Sequence, residues 1–543
     1  MSSPRHTLSR RRFLTISAAT LGALSVRGLP IHAAAAAHFT HGVASGDPLQ
    51  DRVILWTRVL PGSGRAETVN VQWQVASDQR FDNVLATGNT QTGPDRDFTV
   101  KVDAAGLEAG LSYFYRFIVE GVISPVGRTR TLPSAGVAQA RLAVVSCSNY
   151  PQGYFNVYRE VAARDCDAVL HLGDYIYEYA EGGYANAEML EKGRNVQPEH
   201  EIVSLEDYRM RYGLYRSDAD LQAVHQSHPF ICVWDDHEIT NNTFKTGAQN
   251  HNPERGEGEF GNRRHAAIQA FYEWLPIREQ SSIDDGIIYR SFDIGDLATL
   301  IMLDTRLLAR DEQLTHEMNI DTLRSGLADP ARTMLGSEQH AFLANELQRS
   351  SAAGIPWQVI GQQVIMGRKE IPLVGDEEFA EEVRAGIASS RYGMLRSRGQ
   401  MGLPLNLDAW DGYPADRERV LDLFRQHARN AVVLAGDTHS SWAFDLQDDE
   451  GDAIAVEFGT PSVSSPGFET FLPLPEAELV SAFMRNSPEM RYMRGLGRGW
   501  IELDITREQV AAQFMYVSTV MEQDYQVEET EPLISLAGEH VIR

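Results

Sequence analysis

The feature that most constrains this chain is a series of short apolar runs, each closing on chemically active side chains. Leu142–Val145 leads to Ser146, Cys147, Ser148 and Asn149, and Ala168–Leu170 to His171, Gly173, Asp174 and Tyr177. Phe230–Trp234 leads to Asp235, Asp236, His237 and Glu238. Thr299–Leu303 leads to Asp304, Thr305 and Arg306, and Val432–Leu434 to Gly436, Asp437, Thr438 and His439. Apolar runs of about four to six residues without alternation fit strands buried on both faces beneath helices. Ligands of open α/β sheets bind beyond the carboxyl ends of the strands. These five ends are therefore expected to converge on one site.

Candidate helices lie between the runs, at Asn156–Arg164, Arg263–Trp274, Ser337–Arg349 and Asp416–His427. Asp416 and Ser337 are of the residue types that cap helix N-termini. The economical reading is an α/β core with long insertions. Before it, 39–132 reads as a separate β-rich unit: Val53–Trp56, Val69–Val75 and Tyr113–Val119 alternate apolar with polar residues between turn formers, the pattern of a β-sandwich. Pro133–Ala140 reads as a linker, and the acidic stretch Glu522–Glu531 as a solvated surface segment.

Each active side chain has a plain alternative when taken alone. Asp174 caps a following helix as readily as it binds a ligand. Tyr177 and Cys147 fit a core, and His237 and His439 fit structural hydrogen bonds. Asp235 and Asp236 fit an exposed acidic pair, and Arg306 the neutralisation of a neighbouring carboxylate. The conjunction of five strand ends decides for a site.

Charge narrows the partners. With 49 basic against 75 acidic residues, the chain carries a formal charge of −26. This argues against unassisted binding to nucleic acid or to an anionic membrane surface. A small anion is still attracted where bound cations reverse the local field. Residues 1–37 differ from the rest: Ser9-Arg10-Arg11-Arg12-Phe13-Leu14 opens an apolar stretch, Ile16–Val26, that ends in the alanine run Ala33–Ala37. This is the layout of a secretory signal, and the paired arginines before Phe-Leu resemble a twin-arginine signal, which addresses folded proteins to the export machinery. The expected location is thus periplasmic or extracellular. No later run is long enough for a permanent membrane anchor. Three cysteines, Cys147, Cys166 and Cys232, cannot all pair within one chain.

The ordered blocks Gly173-Asp174-x-x-Tyr177, Asp236-His237-Glu238 and Gly436-Asp437-x-His439 resemble those of the calcineurin-like metallophosphoesterases. The longer strings around Cys147, His171–Tyr179, Trp234–Glu238 and Gly436–Trp442 are closest to the alkaline phosphatase D (PhoD-like) branch, as are His41–Pro48 and Gly459–Ser462. That branch includes enzymes described as phosphodiesterases or phospholipases D. The resemblance implies an α/β metallophosphoesterase fold, with β-sheets sandwiched by helices, over 141–525. A small all-β sandwich domain at 39–132 precedes it and a tail at 526–543 follows. It also implies a site with one ferric iron (Fe3+) and one or more calcium ions (Ca2+). Asp174 matches the bridging carboxylate, Cys147, Tyr177 and His439 the iron side, and Asp236 and Asp437 the calcium side. Donor chemistry agrees, since thiolate, phenolate and imidazole suit a transition metal and carboxylate oxygens suit calcium. Gln362, near the place where the wider superfamily offers another histidine, stays outside this set.

The implied reaction is in-line attack on the phosphorus of a mono- or diester by a metal-activated hydroxide. His237 matches a histidine that contacts phosphate or protonates the leaving group, and Arg306 is a candidate phosphate clamp. Ser146 and Ser148 lack the setting of a nucleophile elbow. A phospholipase D-type phosphodiesterase acting on phospholipid head groups is the competing enzymatic reading, and a non-catalytic secreted binding module the non-enzymatic one.

Overall fold

The computed structural model describes residues 38–60, 68–279, 286–371, 398–470 and 475–543. The expected export signal at 1–37 lies outside them.

Three of the apolar runs become the parallel strands Gln139–Val145 (β1), Ala168–His171 (β2) and Pro229–Cys232 (β3). Two more, with the run at 357–360, give the parallel strands Ala298–Met302 (β4), Trp357–Gly361 (β5) and Ala431–Ala435 (β6) of a second sheet. Each sheet is mixed, because its outer strands include antiparallel ones.

Alternation along the strands explains the layering. In the second sheet Leu300, Val359, Val432 and Leu434 enter the same core as Leu142, Val144 and Leu170 of the first. The intervening Ile301, Ile360 and Val433 face the other way and pack with Leu343 and Leu347 of helix Gly336–Ala352 and with Val420 and Phe424 of helix Pro414–His427. Both faces of the second sheet are thus apolar, which is why its strands read as unbroken runs. Each fully buried aliphatic side chain contributes roughly 1.5–3 kcal/mol. Beyond β1, the bonds Thr460 Oγ1 to Val144 O (2.9 Å) and Val463 N to Ser146 O (2.9 Å) tie the two sheets together at their carboxyl ends.

The four expected helices form, as Asn156–Ala163, Phe260–Trp274, Gly336–Ala352 and Pro414–His427, but their ends are made differently. Ser337 lies inside its helix, which has Leu335 at the N-cap and no side-chain cap. Asp416 sits in the first turn of its helix, and its Oδ2 accepts from the backbone N–H groups of Met334 (2.6 Å) and Leu335 (3.1 Å). It therefore caps the neighbouring helix rather than its own.

The N-terminal region is all-β, and its strands are shared between two sheets. Strands Val43–Gly46, Arg52–Arg58 and Thr99–Ala105 extend the first sheet beyond β3, while Val69–Ala76, Val84–Thr92 and Ser112–Val119 belong to an antiparallel sheet of their own. One core joins the two, from Val53 and Leu55 to Val71 and Phe117. The ion pair of Asp47 with Arg290, both buried, adds a polar link to the α/β region at 2.7 Å. In the tail at 526–543, Val527–Glu529 and Leu533–Leu536 pair with Gln509–Val517 at the edge of the first sheet. Among the described residues no helix is long and apolar enough to cross a membrane, and Cys147, Cys166 and Cys232 are all buried and unpaired.

Candidate metal centre

The turns leaving β1, β2 and β6 are tight. Cys147, Asp174, Asp437 and His439 take the left-handed backbone conformation, with φ of 61°, 58°, 64° and 58°. Such a conformation costs a non-glycine residue about 1–3 kcal/mol and clusters where function demands a particular direction. Gly173 is obligatory for two reasons. Its φ is 104°, and a Cβ there would meet Asp235 at 2.4 Å. The bare backbone lets the β2 turn nest against the β3 turn.

Hydrogen bonds fasten these turns to one another. The Cys147 N–H donates to Gly173 O at 3.1 Å, and the Ser148 N–H to Asp174 O at 2.9 Å. The Glu238 carboxylate accepts from the N–H groups of Asp174 (3.0 Å), Tyr175 (2.6 Å) and Asp235 (2.9 Å). This one buried side chain binds the β2 and β3 turns together.

Ligand atoms of Cys147, Asp174 and His439 lie within 4.8 Å of one another. So do those of Asp174, Asp236 and His237, and those of Asp235, Asp236 and Asp437. Asp174 is common to the first two groups and Asp236 to the last two, so the three groups form one continuous run of donors. Tyr177 joins the first: its hydroxyl donates to Asp174 Oδ2 at 2.9 Å and lies 3.2 Å from His439 Nε2. The Ser465 hydroxyl donates to Tyr177 Oη at 2.7 Å, and His439 Nδ1 lies 2.9 Å from Pro466 O. With Nδ1 donating to that carbonyl, Nε2 is the nitrogen left to bind a metal.

The electrostatics call for cations. Burial, and then Asp174, push the Cys147 thiol and the Tyr177 phenol well above their usual ranges. Burial pushes Asp437 up to about 7 despite Arg306, Glu238 up to about 8, and Asp235 well above the carboxylate range. Asp235 Oδ2 and the Gln362 amide nitrogen are buried without a hydrogen-bond partner. Thiolate, phenolate and several carboxylates share one dry volume only if positive charge enters with them. The residues present therefore fit a metal centre.

His237 sits at the shared edge. Its Nδ1 is 2.7 Å from Glu178 Oε2, its Nε2 is 4.0 Å from Asp236 Oδ1, and its ring stacks on Tyr177 with centroids 4.2 Å apart. Burial opposes its charge, but Asp236, Glu178 and Asp174 outweigh burial and raise its pKa well above the usual histidine value. Burial likewise opposes the charge of Asp236, yet His237 and Arg306 hold that carboxyl below the usual range.

Arg306, the expected phosphate clamp, stands among carboxylates. It is fully buried, with Nε on Asp235, Nη1 on Asp408 Oδ2 at 2.6 Å and Nη2 on Asp437 Oδ1 at 2.8 Å. All three nitrogens engage carboxylates, which is the position of a counter-ion. Glu178, Glu238, Asp408 and Ser465 are supporting residues whose roles no sequence pattern announces. The first two stand inside the motif strings, Asp408 follows no apolar run, and Ser465 lies in the loop beyond the strand Ala453–Gly459.

Two mixed sheets face to face, with a continuous run of donors at their joined carboxyl ends, define a metallophosphoesterase-type hydrolase. Residues 142–514 match the PhoD-like phosphatase family, and residues 25–133 match the PhoD-like phosphatase N-terminal domain. The sequence is 36% identical to alkaline phosphatase D of Bacillus subtilis (strain 168), over 96% of this chain and 86% of that protein. A solved structure of PhoD superposes with a TM-score of 0.78 at 33% identity, covering 93% of this chain and 92% of that one. The purple acid phosphatase PPD1 from yellow lupin seeds shares the fold, with a TM-score of 0.53 at 12% identity over 90% of this chain and 73% of its own. The chain belongs to the PhoD-like phosphatase family and is a metal-dependent phosphoric ester hydrolase.

Proposed function

We propose that this protein is an exported enzyme that hydrolyses phosphate mono- and diesters with Fe3+ and Ca2+. Cys147, Tyr177 and His439 would hold iron, Asp236 and Asp437 calcium, and Asp174 both. The observation that carries this reading is that Asp174 is shared between a thiol–phenol–imidazole cluster and the Asp236–His237 group, which Asp236 in turn links to Asp437. When bound, such a pair lowers the pKa of a water molecule and neutralises charge on the phosphoryl oxygens.

The chain's own part is proton handling and positioning. Water oxygen bonds to phosphorus as the ester P–O bond breaks. His237, held as an imidazolium by Glu178, keeps a proton on Nε2 for the departing oxygen. Arg306 spaces Asp235 and Asp437 and limits their mutual repulsion. Export by the twin-arginine route rests on the Ser9–Leu14 segment and fits a protein that loads metal before leaving the cytoplasm. Replacing Arg11 and Arg12 by Lys should keep the protein inside the cell.

The test of mechanism is His237→Ala. Metal content should persist while turnover falls by about 10²- to 10⁴-fold; unchanged turnover removes His237 from the chemistry. Parallel assays of a phosphomonoester, a nucleotide diester and a phospholipid separate phosphatase from phospholipase D-type activity. Turnover of the phospholipid alone would replace the phosphatase reading by the phospholipase D-type one.

A further inference from the structure

A groove of about 790 Å³ opens beside the metal centre, lined among others by Tyr184, Ser464, Pro466, Glu469 and Arg498. One loop forms a wall of both spaces. Ser465 and Pro466 bond to Tyr177 and His439 on its inner side, and Glu469 on its outer side pairs with Arg498. Tyr184 is the partition. Its hydroxyl lies 3.5 Å from His439 Nδ1, and its ring centroid is 5.8 Å from that of Tyr177. Burial, then Cys147 and Asp174, raise the pKa of its phenol, and Arg498 opposes them.

The volume far exceeds what a phosphate group needs. Gly182, Gly183, Gly497, Asn186 and Ser518 make part of the lining polar or small, beside Leu496, Val517, Val520 and Met521, so a chain carrying polar groups finds partners along it. Two arginines reach the groove and differ in availability. Arg494 is closed off, with both Nη atoms 2.9 Å from the carboxylate oxygens of Glu528 and its guanidinium 3.9 Å from the centroid of Tyr516. Arg498 spends Nη1 on Leu496 O at 2.9 Å and Nη2 on Glu469, while its Nε is buried without a partner. Glu469 itself is 38% exposed, and an ion pair with so accessible a carboxylate is readily exchanged for another anion.

We propose that Arg498 is a specificity residue, and that the groove seats the non-leaving arm of a phosphodiester whose far end carries an anionic group, which replaces Glu469 on the guanidinium. The inference rests on the phosphoesterase reading and adds to it the class of diester. Its chemistry is that of the parent reaction: water adds to phosphorus, the leaving alcohol departs with a proton, and the anionic arm stays esterified.

The test compares two diesters with the same p-nitrophenol leaving group, p-nitrophenyl butyl phosphate and p-nitrophenyl 3-carboxypropyl phosphate, using metal-loaded enzyme. The wild type should favour the carboxylate-ended probe in kcat/KM. Arg498→Gln should lower that preference by about tenfold, as expected for loss of a charge-assisted hydrogen bond, with the change falling on KM. Glu469→Gln, which frees the guanidinium, should raise the preference and covers the case in which the arginine variant fails to fold. Equal turnover of the two probes by wild type, or a preference that neither substitution moves, overturns this inference and leaves the phosphoesterase reading standing. Failure of the wild type to hydrolyse either probe or p-nitrophenyl phosphate removes that reading, and this one with it.

Discussion

The Glu178 carboxylate and the His237 imidazole form a buried pair at 2.7 Å, and the other oxygen of Glu178 accepts from the Asn241 N–H at 2.8 Å and from Asn250 Nδ2 at 3.1 Å. The carboxylate is thus fixed before it fixes the histidine. Glu178→Gln removes one of the charges that raise the His237 pKa. Because the acid form is the one in use, activity persists below that pKa and is lost as pH rises through it. The variant should show the alkaline limb of its kcat profile moved to lower pH, with metal content retained. An alkaline limb at the wild-type position would show that Glu178 does not govern the proton.

Gly173→Ala should abolish the nesting of the β2 and β3 turns. The added carbon meets Asp235 backbone as well as side chain, and φ of 104° is strained for alanine. A loss of at least about 2 kcal/mol in denaturant unfolding is expected, together with weakened metal retention. A variant of native stability would contradict the packing described.

Arg306→Met should destabilise the metal-free protein by about 3–5 kcal/mol, since it strands buried carboxylates without their cation. Metal binding supplies positive charge to the same carboxylates, so the deficit should be smaller in the loaded enzyme. Thermal melts of both states give the comparison, and an equal deficit would argue against a counter-ion role.

Asp416 provides a pH signature remote from the site. Burial opposes its charge, but His340 and the N–H groups of Met334 and Leu335 outweigh burial and hold its carboxyl well below 3.8. The folded value being the lower, its stabilisation is complete above about pH 4 and is lost as pH falls through the folded value. Asp416→Asn should therefore cost about 1–3 kcal/mol at pH 7, with the gap to wild type closing in acid. A constant gap would remove the linkage.

Much of this centre was legible from the chain because the strands that carry it are buried on both faces. An unbroken apolar run such as Val432–Leu434 announces where a strand ends, and the next residues must lie at the sheet's rim. Roles within the rim were harder. Arg306 reads equally as a clamp or a counter-ion until the positions of Asp235, Asp408 and Asp437 are known, and Asp408 reaches the centre from a loop that no run precedes. Which sheet each N-terminal strand joins was not legible, because period-two alternation shows that a strand is half-buried and no more; Arg52–Arg58 looks the same in either sheet. The short strands Val527–Glu529 and Leu533–Leu536 leave too little pattern among acidic residues to register at all. Helix starts misled where a capping residue type faced another helix, as at Asp416.

The proposed centre is mixed, with Cys147 on one metal and carboxylates on the other. Elemental analysis of protein exported by its native route, wild type beside Cys147→Ser, tests it most directly. The wild type should carry iron and calcium, and the variant should lose iron while keeping calcium. Wild-type protein with neither metal, or a variant that keeps its iron, would contradict the account.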